Sequence, residues 1–165
     1  MEEREAWDYP EGGVPEVRMG GVVALVAEAI ARYRTDLVVT FWPAGGATGH
    51  KDHMRMGLAA EQAILRLRAG EGEYRGPSHV AYALTPPRAM ARLAGETGRF
   101  VVENQPAPTH AVPGNTASKL KGWEIHASQG VYVRKAYGVP ARLLYLVWDK
   151  ELYAVRAASE IEGEN

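Results

Sequence analysis

Two imidazoles and a carboxylate fall within four residues at His50-Lys51-Asp52-His53, directly after the stretch Gly45-Gly46-Ala47-Thr48-Gly49. In a chain without cysteine, histidine and carboxylate are the ligands open to zinc, and a catalytic zinc uses three protein ligands plus a water. That water, its pKa lowered toward about 7, becomes a nucleophile at neutral pH. If a helix begins near Asp52, both imidazoles sit at its first turn, facing the loop. Asp52 is then placed to fix the tautomer of a ligating histidine from behind. The glycines at 45, 46 and 49 would let the backbone approach a substrate closely. The same residues have a plainer reading. An Asp at a helix start serves as an N-cap, and His-x-x-His is a short pattern that recurs without metal.

The elements around this stretch decide where it points. Leu37 to Trp42 is a continuous β-branched and aromatic run, as expected of a strand covered on both faces. From His53 to about Arg68 the pattern is helical, with a narrow polar stripe at Arg55, Gln62 and Arg66. Strand, glycine-rich loop and helix in that order put the three residues at a strand's C-terminal end, where ligands collect in open α/β sheets. Upstream, a helix is predicted from about Pro15 to Arg34, with Val22, Leu25, Val26, Ala29, Ile30 and Tyr33 as its apolar stripe and a weak point at Gly20-Gly21. Downstream, His79 to Leu84 reads as a strand. Helix, strand, helix, strand argues for a parallel, right-handed α/β sheet.

The second half is less regular. Pro86 to Leu93 reads as a short helix, Phe100 to Val102 as a short strand, and Pro106 to Gly114 as loop. A helix capped by Asn115 or Thr116 runs to about Gln129. Arg142 to Trp148 reads as a late strand and Tyr153 to Val155 as a small edge piece. Residues 1–158 are expected to form a single domain, which the family resemblance given below makes a partial one, and the polar residues 159–165 are expected to fray as a tail.

Bulk properties exclude several function classes. The 165 residues are 46% hydrophobic and 24% charged, with a formal net charge of −1. That gives no electrostatic case for nucleic acid or an anionic membrane. No apolar run approaches the roughly 20 residues of a membrane span. The acidic start Met-Glu-Glu-Arg-Glu lacks a signal-peptide core, so the cytoplasm is the expected compartment. His79 and His110 have no acidic or histidine neighbours and read as structural or surface residues. His126 sits at a helix C-terminal end, where the helix dipole favours it. Arg88, Arg92 and Arg99 read as solvated.

At Gly49-His50-Lys51-Asp52-His53 the chain resembles the LmbE/PIG-L family of zinc-dependent N-acetylglucosaminyl deacetylases, whose motif is G-H-x-D-H. Asp8-Tyr9-Pro10-Glu11-Gly12-Gly13 is similar to that family's D-x-P-D-G turn, with Glu11 in place of Asp. Lys119 to Gln129, K-x-x-x-W-x-x-H-A-S-Q, is similar to its late helix. The resemblance implies a Rossmann-like three-layer α/β sandwich with a mostly parallel sheet. It implies His53 as a ligand to Zn2+ or another divalent metal, His50 as the histidine that stabilises the tetrahedral oxyanion, and Asp52 as the residue orienting a histidine. Gly49, His126 and Gln129 match positions lining the site. The implied substrate is a small N-acetylated sugar conjugate.

One departure stands out. The family's opening strand ends in A-H-P-D-D-E, which supplies a His and an Asp to zinc and an Asp as base, and this sequence contains no such motif. The expectation is that the N-terminal strands and remaining metal ligands are missing, through a misplaced start, a truncated gene or a shortened relative, and that the chain as it stands is inactive. An exposed sheet edge would favour association into a homo-oligomer. Two other readings stay open. One is a non-catalytic α/β domain that binds a sugar or protein. The other is a metal-dependent hydrolase of another class, completed by Asp8, Glu11 or Glu103.

Overall fold

The structure, a computed structural model, describes residues 4–127 and 130–161; Gln129 and the side chain of Arg92 lie outside the described part. The chain begins with a turn at Pro10–Gly13 and a short 3-10 turn, Val14–Glu16, then enters α1, Met19–Tyr33. Val22, Val23, Val26, Ala27 and Ile30 recur at three- and four-residue intervals and bury one stripe of α1. Gly20 and Gly21 lie in its first turn and do not break it.

Strand β1, Leu37–Phe41, leads through the glycine-rich loop into α2, Lys51–Ala69, and then into β2, His79–Leu84. β1 and β2 pair in parallel, with Leu37 opposite His79 and Phe41 opposite Ala83. The inner face of α2 carries Gly57, Ala59, Ala60, Ala63 and Ile64. These small residues seat the helix tightly: a Cβ on Gly57 would collide with the carbonyl of Phe41. The core lies between these two helices and one sheet face, around Val22, Ile30, Ile64, Val80, Tyr82 and Ala154.

The later chain forms α3 (Pro87–Leu93), α4 (Gly95–Glu103), β3 (His110–Pro113), α5 (Thr116–Ile125), α6 (Gly130–Tyr137), α7 (Ala141–Val147) and β4 (Lys150–Ala157). Its helices pack mainly on one another. The sheet order is β1-β2-β4-β3, and β4 pairs antiparallel with both of its neighbours.

The fold is therefore mixed α/β, but the mostly parallel sheet is corrected. Among the described residues one strand pairing is parallel and two are antiparallel. The Tyr153–Val155 edge piece is the middle of an eight-residue strand hydrogen-bonded on both sides. Arg142 to Trp148 is helix α7, not strand: an apolar run reads either way, and Pro140 at its N-cap starts a helix. Phe100 to Val102 lies within α4, held there because Gly98 lets that helix approach the Met90 carbonyl of α3. Pro106–Gly114 contains β3, since its backbone finds partners on β4. β1 is an edge strand among the described residues rather than one covered on both faces, with Leu37 49% and Val39 59% exposed. Order also continues past Ala158, because Ile161 is buried in the core.

Candidate active site

The carbonyl of Trp42, just beyond β1, accepts from the amides of Gly45 and Gly46 (3.3 and 2.7 Å), and Gly45 accepts from Gly49 at 2.9 Å. The chain can fold back so sharply because Gly46 and Gly49 take φ of +58° and +75°, conformations that cost a side-chain-bearing residue. Ala47 takes +58° between them and bears that cost. This compact turn delivers His50 to the N-cap of α2, where its Nδ1 accepts from the amide of Asp52 at 3.3 Å. A backbone N–H can only donate. The neutral His50 ring therefore keeps its proton on Nε2.

His53 is set the opposite way. Its Nδ1 lies 3.0 Å from the Gly46 carbonyl oxygen and 2.9 Å from the Thr48 hydroxyl. A carbonyl can only accept, so Nδ1 carries the proton and Nε2 keeps a lone pair with no hydrogen-bond partner among the described residues. The ring lies flat on Phe41, with centroids 4.0 Å apart and planes 5° apart. Burial holds its pKa below the ordinary 6.5; the Gly46 hydrogen bond pulls it back up, the neighbouring His50 pushes it further down, and Asp52 raises it. The centroids of His50 and His53 are 5.2 Å apart.

Asp52 departs from the role of orienting a histidine through its carboxylate. Its Oδ2 accepts from the Gly12 amide at 2.7 Å and lies 3.9 Å from His50 Nδ1. It is the backbone of Asp52 that orients His50, while the carboxylate ties the Pro10–Gly13 turn to the start of α2. Its other oxygen, Oδ1, is buried without a hydrogen-bond partner.

The unshared lone pair of His53 and the orphaned Oδ1 of Asp52 are donors of the kind zinc accepts, but they do not make a zinc centre. Among the described residues no three His, Asp or Glu side chains are grouped to hold a metal, and Asp8, Glu11 and Glu103 do not complete one. The donor set does not fit a catalytic zinc, which needs three protein ligands.

His50 opens onto a cleft of about 740 Å³, within the roughly 300–1,000 Å³ of small-molecule sites. Thr48, Gly49 and His50 form one end, and the rest comes from α3 to α7, chiefly Met90, Trp123, Tyr137, Leu144, Tyr145 and Trp148. Asp52, His53 and His126 do not line it. His126 is the exposed C-cap of α5 and bonds through its backbone to Gly122. His79 and His110 are exposed beside the hydroxyls of Ser78 and Thr109, as surface residues. Arg88 and Arg99 are exposed. Sequence reasoning missed Thr48, whose hydroxyl meets His53, and the aromatic wall. Its signal is the run of five aromatic residues from Trp123 to Trp148, hidden when Arg142–Trp148 reads as a strand.

Residues 1–64 match the PIG-L family, described as GlcNAc-PI de-N-acetylase. The chain is also similar to the 1D-myo-inositol 2-acetamido-2-deoxy-alpha-D-glucopyranoside deacetylase of Kineococcus radiotolerans. The two are 32% identical over an alignment covering 80% of this chain and 44% of that protein. The chain thus spans less than half the length of that relative. No solved structure matches the chain. The resemblance carried by Gly49-His50-Lys51-Asp52-His53 is shown by these two findings.

Proposed function

We propose that this LmbE/PIG-L-like chain forms part of a deacetylase that hydrolyses the acetamide of an N-acetylglucosamine-type conjugate. The observation that carries the reading is the opposed tautomers of two neighbouring imidazoles, of which His50 opens onto the cleft. His50 presents an N–H where a carbonyl oxygen gains charge in a tetrahedral intermediate, and such a preorganised donor lowers the barrier. His53 keeps an unprotonated Nε2 on a ring held neutral by burial, as a metal ligand must be. The Asp52 amide sets His50, and its carboxylate holds the Gly12 turn to the start of α2.

The substrate is a small sugar conjugate with an acetylated amine, in keeping with the relative's printed name. His53 is the ligand this chain would give to zinc, and further ligands would have to come from outside the described residues. Gly49 would let the backbone close on the amide; His126 does not line the cleft and Gln129 lies outside the described residues, so neither is given a chemical role. The cytoplasm is the proposed compartment; no helix among the described residues is long and apolar enough to cross a membrane.

Amine release from an N-acetylglucosaminide by a polypeptide that joins this chain to the remaining metal ligands, read with an amine-reactive dye in the presence of added zinc, tests the reading. Release that falls about 100- to 1,000-fold in His50→Ala supports it. Among the described residues no three-ligand group is present, which favours a second reading, a sugar-binding domain without catalysis. N-acetylglucosaminide binding that is unaffected by chelators, with no amine release, would favour this alternative. Failure to bind any N-acetylated sugar would overturn both.

A further inference from the structure

The side chains lining the cleft are unequal in which half of a hydrogen bond they supply. Lys135 brings an ammonium, while no aspartate or glutamate among the described residues lines the cleft. That ammonium has no ion-pair partner among the described residues. Lys119 behind the wall differs, since Glu151 neutralises it at 2.5 Å. Trp123 Nε1 donates to the Tyr145 hydroxyl at 2.6 Å, which leaves the Tyr145 hydrogen to donate elsewhere. His50 keeps its proton on Nε2, because the Asp52 amide occupies Nδ1. Trp148 Nε1, a group that can only donate, is buried without a partner. The Tyr137 hydroxyl makes no hydrogen bond among the described residues. Burial, and then the neighbouring Tyr145, raises its pKa above the ordinary 10 and keeps its proton in place.

We propose that the part of this cleft built by the later helices takes an anionic group on the conjugate, a phosphate or a carboxylate, and that Lys135 selects it. The proposal rests on the deacetylase reading of the His50 end. A neutral hydroxyl both gives and takes hydrogen bonds, and carboxylates, the side chains that only accept, are missing from the lining. An anionic oxygen only accepts, so a surplus of N–H and O–H groups beside an unpaired ammonium matches it. Met90, Val133 and Leu144 line the same space, and apolar surroundings strengthen each charge-assisted bond. The ring that bears the charge is not restricted. Tyr137 can accept as well as donate, so a cyclitol or a second sugar carrying the anion finds partners for its hydroxyls too.

Titration of the chain with four compounds, followed by fluorescence of the lining tryptophans, tests this. The compounds are methyl N-acetylglucosaminide, carboxymethyl N-acetylglucosaminide, N-acetylglucosamine 1-phosphate and glucose 1-phosphate. N-acetylglucosamine 1-phosphate should bind roughly tenfold or more tighter than the methyl compound, and the ratio should shrink as salt is raised. The same gain for the carboxymethyl compound assigns the subsite to anions in general; a gain for the phosphate alone assigns it to phosphate. Lys135 is exposed, so its replacement spares the fold. Lys135→Gln should bring the ratio near one and Lys135→Arg should keep most of it, with affinity for the methyl compound unchanged in both. Equal affinity of charged and methyl compounds, or a ratio untouched by Lys135→Gln, would overturn the proposal. Glucose 1-phosphate binding as tightly as N-acetylglucosamine 1-phosphate would leave the anion subsite standing while counting against the deacetylase reading. The two failures are thus distinguishable.

Discussion

His50 and His53, three residues apart with ring centroids at 5.2 Å, hold their protons on opposite ring nitrogens. The main chain imposes this on both. The Asp52 amide claims Nδ1 of His50, and the Gly46 carbonyl claims the Nδ1 hydrogen of His53. A pair so prepared can offer a hydrogen bond from one ring and a lone pair from the other without any proton moving first.

Replacement of His50 tests the first half of that statement. Because the side chain is exposed and its bond to the Asp52 amide is long, His50→Ala should change stability by less than about 1 kcal/mol. Amine release should nonetheless fall about 100- to 1,000-fold. His50→Gln keeps an N–H donor and should recover part of the loss. Denaturant unfolding alongside initial rates gives both quantities.

His53 carries a pH signature. Its folded pKa is depressed, chiefly by burial, below the ordinary 6.5. Its contribution to stability is therefore fully present above that value and is lost as pH falls through the folded pKa. Melting temperature should drop between about pH 7 and about pH 5, and His53→Ala should flatten the drop. Zinc titration by calorimetry should show any site-specific heat disappear in the same variant.

Asp52 gives a prediction of another kind. Its Oδ2 is the acceptor for the Gly12 amide, a charge-assisted bond of about 1.5–3 kcal/mol before solvent screening. Asp52→Ala should speed hydrogen exchange at Gly12 by roughly tenfold or more. The α2 amides beyond the first turn should be little affected.

Two glycines make close approaches around the site, Gly49 in the loop and Gly57 in α2. Gly49→Ala meets a φ of +75° and a Thr97 methyl carbon 3.0 Å from the new Cβ, at an expected cost of about 1–2 kcal/mol. Gly57→Ala drives a methyl into the Phe41 carbonyl and should cost about 1–3 kcal/mol or more. Of the two, only Gly57→Ala should also move the seat of His53, seen as a shift in its imidazole NMR resonances. Urea midpoints order the pair.

Much of this site was legible before any coordinates. The G-H-x-D-H spacing, a β-branched run ahead of it and a helical stripe behind it fix a β1–loop–α2 unit through short-range constraints. Asn115 as a cap was legible for the same reason, its side chain bonding Ser118. What could not be read depends on distant partners. The Arg142–Trp148 run suits a strand or a helix until its neighbours are known, and β4 becomes a central strand only because β2 and β3 flank it. The aromatic cleft is invisible for that same reason, since Met90, Trp123, Tyr137 and Trp148 come from four separate stretches of chain. Asp52 was credited with orienting a histidine; its bond to Gly12, forty residues away, has no local signature.

Phe41 is both the last residue of a strand whose outer border is unpaired among the described residues and the plate on which the His53 ring rests. Anything that zips onto that bare border must press on the same few backbone atoms that level the plate. Assembly at the rim of the sheet and the aim of an imidazole are mechanically one adjustment, so tightening the first retunes the second.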